Sequence, residues 1–217
     1  MKITIVSDTI CPWCFIGKRR LERALAKRSD ISPEIEWRPF ELNPQMPAEG
    51  LDRKAYMRAK FGDDERADEV YAAIRTAGEE ENIPFAFDDI VRVPNTVASH
   101  RLIAWSLTRG HQNEIVEALF RAYFLEGEDI GEINVLVEIA RAAGLKETDA
   151  RIHLTGEEGI KETKAEAWEA KRLGISGVPC FVFNGEYAIS GAQGPEVFLQ
   201  IFDLALQSSA ASEPQTR

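Results

Sequence analysis

Lys2-Ile3-Thr4-Ile5-Val6-Ser7-Asp8 runs without a break into Thr9-Ile10-Cys11-Pro12-Trp13-Cys14. The first half is apolar or β-branched at both alternations, Ile3 and Ile5 against Thr4 and Val6. That is the pattern of a central strand covered on both faces. The second half turns helical. Pro12 suits a first helical position, where its missing N–H costs nothing. Leu21, Ala24, Leu25 and Arg28 keep helical spacing until Ser29-Asp30 ends it. Residues 35–40, Ile-Glu-Trp-Arg-Pro-Phe, read as a second strand. Strand, helix and strand in about 40 residues make a βαβ unit, which closes right-handed with parallel strands.

The two cysteines therefore open a helix directly after a buried strand. A thiolate, not a thiol, attacks a disulfide, so the attacking sulfur needs a stabilised anion and access. A helix start offers unpaired N–H groups and the positive end of the dipole. A second cysteine three residues on lies a turn away on the same face and can close the bridge. Cys11 is read as the attacking sulfur, nearer the helix start and more exposed, and Cys14 as the resolving one. Pro12 tunes the turn, and Trp13 shapes the surface that meets the substrate or packs as an aromatic. Zinc would need two further ligands, and Cys180, His100, His111 and His153 show no second paired spacing. No metal is expected.

Working outward, residues 43–50 are rich in breakers, and helical stripes follow. Ala67, Val70, Tyr71, Ile74 and Ala77 make one. Val97, Ile103, Trp105 and Leu107 make another after an Asn95 or Thr96 cap. Ile115, Val116, Leu119, Phe120 and Phe124 make a third; Ile133, Leu136, Val137 and Ala140 a fourth, stopped by Gly144. Four helices and no strand are expected there. The chain then returns to α/β: a helix over residues 162–173, a hairpin turning at Asn184-Gly185, and a last helix from Pro195 to about Leu206. The organisation is a four-stranded sheet built from residues 1–48 and 156–207, an all-helical insertion over 49–155, and a disordered polar tail over 208–217.

The chain has 217 residues, 44% of them apolar, enough for a full core without disulfide staples. A formal charge of -10 argues against a nucleic-acid partner. No run approaches the roughly 20 apolar residues of a membrane span, and the start does not read as a secretory signal. A cytoplasmic location is expected. Cysteines there are more often reactive, metal-binding or simply buried than stapled.

Four segments carry a resemblance: Cys11-Pro12-Trp13-Cys14; Arg38-Pro39-Phe40-Glu41-Leu42-Asn43-Pro44; Val93-Pro94-Asn95-Thr96 with His100-Arg101; and Ser176-Gly177-Val178-Pro179. Together, over about residues 3–206, they resemble the DsbA-like branch of the thioredoxin superfamily, and its FrnE-like members most. The resemblance implies a thioredoxin-like fold, a four-stranded mixed sheet with an inserted helical domain, and thiol–disulfide exchange on proteins or small molecules. It implies no cofactor beyond glutathione as a redox partner. It implies that Val178-Pro179 forms a cis-proline loop opposite the cysteines, with Val178 offering backbone groups to a bound peptide or thiol. It sets Asn95, Thr96 and His100 on a helix of the insertion. His100 is read as a hydrogen-bonded polar residue at a helix interface rather than a proton carrier, since a lone histidine says little. Cys180 departs from the family pattern, where Thr often follows the proline, and is read as a buried core thiol.

Two other functions compete. The same branch holds glutathione-dependent transferases and 2-hydroxychromene-2-carboxylate isomerases, in which a serine often replaces the first cysteine. Retention of both Cys11 and Cys14 argues against that chemistry, which needs no resolving thiol. A non-catalytic binding or chaperone-like module would leave both thiols unused. Direction of electron flow and oligomeric state are not readable from the sequence.

Overall fold

The structure, a computed structural model, describes residues 1–62 and 64–212. Its main sheet has β1 (Lys2–Ser7) at the centre, between β2 (Glu34–Pro39) and β5 (Cys180–Phe183), with β6 (Tyr187–Ser190) at the edge. β2 runs parallel to β1, aligning Ile3 with Ile35 and Ile5 with Trp37. β5 and β6 are antiparallel. The central position explains the doubly apolar pattern of β1. Ile3 and Ile5 enter the large core, whereas Val6 joins Phe40, Ala170 and Cys180 in a smaller one on the other face. Asn184 and Gly185 take φ of 50° and 76° at the β5–β6 turn, values that Asn and Gly tolerate best.

α1 (Pro12–Ala26) packs against α9 (Pro195–Ser212), and α8 (Ile160–Arg172) lies against β2. Among the described residues the insertion holds six helices rather than four: α2 (Arg53–Phe61), α3 (Asp64–Glu79), α4 (Val97–Leu107), α5 (Gln112–Glu126), α6 (Ile133–Ala142) and α7 (Glu147–Thr155). It also holds a short ribbon, β3 (Leu51–Asp52) against β4 (Arg92–Val93), where no strand was expected. Two-residue strands are too short to show a period. Their pairing depends on Gly50, at φ +70°, where a Cβ would sit 2.6 Å from the Val93 carbonyl. α2 left little apolar signal because of its residues only Met57 is buried.

The insertion has no core of its own. Leu102, Leu119, Phe120, Phe124 and Leu136 belong to the same apolar cluster as Ile3, Phe15, Phe181 and Phe183. Phe15 of α1 stacks on Phe120 of α5, with centroids 5.2 Å apart. At the other end the expected tail is corrected over residues 208–212, which continue α9. The run Ser208-Ser209-Ala210-Ala211-Ser212 contains neither Gly nor Pro, so nothing in it stops a helix already begun. Residues 213–217 of that tail lie outside the described residues.

Candidate functional site

β1 ends at Ser7, and a turn closed by Cys11 N–H donating to the Asp8 carbonyl (3.0 Å) delivers the chain to α1. Cys11 is the N-cap, still in extended geometry, and Pro12 takes the first helical position. No acidic residue stands in the first turn. Cys14 follows one turn in, and both are free thiols. Cys11 is the more exposed of the two, as expected, but both are buried: 4% exposed against 0% for Cys14. Its sulfur caps no helix amide. It donates instead to the Val178 carbonyl at 3.5 Å, across 167 positions of sequence. That carbonyl comes from the loop before β5, where the Val178–Pro179 peptide is cis. α1 approaches the loop closely because residue 17 is glycine; a Cβ there would lie 2.9 Å from the Pro179 ring.

Burial, above all, pushes the Cys14 thiol well above its ordinary value. A hydrogen bond with Cys11 and the charges of Cys11 and Asp8 push the same way, and a backbone hydrogen bond at Asp8 opposes them. Asp8 is the residue that sequence reasoning missed. It is fully buried; its Oδ2 accepts from the Leu42 amide at 2.7 Å, and its Oδ1 lies 3.3 Å from His100 Nε2. That second contact is close but not aligned as a hydrogen bond, and Oδ1 makes no other. His100 Nε2 is also 3.1 Å from the Phe40 carbonyl, so the ring sits between α4 and the end of β2, beside Asp8. The available signal was an acid placed directly between a buried strand and the cysteine motif.

Asn95 does not reach the cysteines. Its Nδ2 donates to the Met46 carbonyl (2.8 Å) and its Oδ1 accepts from the Val97 amide, which caps α4 from the residue before Thr96. Cys180 is 6% exposed, and burial raises its thiol pKa. It packs under α8 beside Val6 and Ala170, away from the Cys11 cleft.

Cys11, Pro12, Trp13, Gly177 and Val178 form one wall of a cleft of about 350 Å³. The facing wall comes from α2, α3 and the segment after it, with Tyr56, Phe61, Tyr71 and Phe87, and from Tyr123 and Phe124 of α5. Trp13 stands on the rim, 36% exposed, and is not a core aromatic. A larger groove of about 520 Å³ between α5 and α6 contains no cysteine and no nucleophile. Cys11 lies on the smaller cleft.

The profile of the DSBA-like thioredoxin domain matches residues 2–203. Over its whole length the chain is similar to the probable DsbA oxidoreductase SCO1869 of Streptomyces coelicolor, with 30% identity, 93% of that chain covered and a TM-score of 0.87. It shares its fold with the cytosolic disulfide reductase DsbM of Pseudomonas aeruginosa (18% identity, 95% and 99% coverage, TM-score 0.69), a protein also solved with GSH. A 2-hydroxychromene-2-carboxylate isomerase shares it too (14% identity, 98% and 100% coverage, TM-score 0.71).

Proposed function

This chain belongs to the DSBA-like thioredoxin domain family, and from that premise we propose that it is a thiol–disulfide oxidoreductase working through Cys11 and Cys14. The reading rests on one observation: Cys11, at the helix start and on the wall of the cleft, meets the Val178 carbonyl at 3.5 Å while Cys14 waits one turn behind. In the reducing direction the Cys11 thiolate attacks one sulfur of a substrate disulfide. A Cys11–substrate bond forms, the substrate S–S bond breaks, and the first thiolate leaves. Cys14 gives up its proton and attacks Cys11 Sγ. The second substrate thiolate leaves, and two electrons have passed from protein to substrate. Two glutathione molecules then restore the dithiol and become glutathione disulfide. The same steps run in reverse oxidise a substrate dithiol.

Each neighbour has a part in this proposal. Val178 and Pro179 line up an extended substrate segment beside Cys11, with the Val178 backbone as the pairing edge. Pro12 and Trp13 shape the contact surface. Asp8, held by the Leu42 amide and lying beside His100, is among the groups that keep the Cys14 thiol protonated. Asn95 acts only through the loop it ties down. The glutathione partnership draws support from the relative solved with GSH. A cytoplasmic location and the FrnE-like subgroup complete the proposal. Among the described residues no helix is long and apolar enough to cross a membrane.

Reduction of a mixed aryl disulfide by the parent, Cys11→Ser and Cys14→Ser tests this. Cys11→Ser is expected to abolish turnover. Cys14→Ser is expected to stall with one substrate thiol bound to Cys11, seen in the intact mass. Full activity of both variants as glutathione transferases or isomerases would replace the reading with the isomerase-like one. Absence of any redox couple at the pair would leave a binding module.

A further inference from the structure

The cleft's electrostatics run against the chain. The protein carries 36 Asp and Glu against 26 Lys and Arg, yet among the described residues no carboxylate lines the cleft, while Arg53 and Lys60 do. Several arginines elsewhere end on carboxylates: Arg19 on Glu117, Arg20 and Arg23 on Glu81, Arg28 on Asp203, Arg38 on Glu166; Arg101 and Arg109 end on backbone carbonyls. Arg53 is different. Its guanidinium lies 5.0 Å from the Tyr71 ring centroid and 5.9 Å from that of Phe87, with no ion pair among the described residues. Lys60 sits at the mouth, 5.4 Å from the Tyr56 ring and 5.5 Å from the Phe61 ring.

We propose that the cleft takes a disulfide or thiol borne on an aromatic body that carries a carboxylate, and that Arg53 recognises the carboxylate. The proposal deepens the oxidoreductase reading and rests on it. The aromatic walls stack on the body of the substrate. Stacking on Tyr71 and Phe87 holds the planar guanidinium and leaves its edge donors for a bidentate carboxylate contact. Apolar surroundings strengthen that ion pair relative to water. A cleft of about 350 Å³ falls at the small end of the range for small-molecule sites. An aliphatic or cationic disulfide would use neither the rings nor Arg53.

The test compares three disulfides under one reductant, dithiothreitol: dithiobis-nitrobenzoate, which is aromatic and anionic; dithiodipyridine, aromatic and neutral; and cystamine, aliphatic and cationic. Each rate is divided by that of a free small thiol, which removes intrinsic reactivity. The parent is expected to favour the anionic aromatic disulfide. Arg53→Gln is expected to lower its kcat/KM, relative to dithiodipyridine, by about tenfold, the size of one lost charge-assisted contact, and Arg53→Lys to recover part of it. Lys161→Gln, at an exposed position of α8, removes the same charge elsewhere and is expected to leave the ratio unchanged. Equal use of all three disulfides, or equal ratios in Arg53→Gln and parent, would overturn the proposal. If no disulfide is turned over, the oxidoreductase reading falls instead. Calorimetric binding of an S-methyl thio-nitrobenzoate then decides the substrate class: loss of binding in Arg53→Gln supports it, and absence of binding to the parent refutes it.

Discussion

At the scale of single residues, the site pairs two thiols in unlike settings. Cys11 reaches the cleft; Cys14 is sealed beneath it with the Asp8 carboxylate nearby. Because burial raises the Cys14 pKa above the ordinary 9.0, the native state holds that proton while the unfolded chain releases it. Stability from this group is therefore complete below pH 9.0 and drains away as pH rises beyond it. Denaturant titrations of the reduced protein at rising pH are expected to show it as an extra slope of at most about 1.4 kcal/mol per pH unit. Cys14→Ala should lack that slope. Cys180 and Tyr123, also raised by burial, remain in both proteins and cancel. Identical pH profiles for parent and variant would contradict a buried, proton-holding Cys14.

At the scale of elements, the reactive geometry depends on how closely α1 approaches the loop before β5. Gly17 permits that approach: a Cβ would meet Pro179 at 2.9 Å and the fully buried Phe181 ring at 3.0 Å. Phe181 is locked in the core, so the loop must give way. Gly17→Ala gains roughly 1 kcal/mol of helix propensity and loses about 1–3 kcal/mol to overpacking. The net is a loss of at most about 2 kcal/mol of stability. Turnover is expected to drop by at least about tenfold, since Val178 shifts relative to Cys11 and small misplacements are costly in a positioned reaction. A chemical-denaturation midpoint and a kcat/KM on the same sample check both halves. Unchanged kcat/KM would mean that the loop does not position the substrate.

At the scale of the whole molecule, sheet and insertion share one aromatic core. Phe15, Phe120, Phe124, Phe85 and Phe87 form a continuous set of ring contacts from α1 through α5 to the segment after α3. Such a core should unfold as a unit. Far-ultraviolet circular dichroism and tryptophan fluorescence are expected to report the same transition, since Trp37 lies in the sheet and Trp105 in the insertion. Phe120→Ala should destabilise it by about 3–5 kcal/mol without splitting it. Two separated transitions would show that residues 49–155 fold independently.

Local periodicity and turn chemistry were enough to read β1, the Cys11–Cys14 helix, the Asn184-Gly185 hairpin and the main stripes of the insertion, because each is encoded within one or two turns of chain. They were not enough for β3 and β4, for the real number of inserted helices, or for the end of α9, where the local signal is short or weak. Sequence also fixed neither the burial of Cys11 nor its meeting with Val178, nor the pairing of Asp8 with His100, nor the presence of Arg53 among the cleft's aromatic rings. Those are contacts between distant segments. They arise when α1, α2, α4 and the β5 loop pack around one core, and packing geometry, unlike helical period, has no short-range record in the chain.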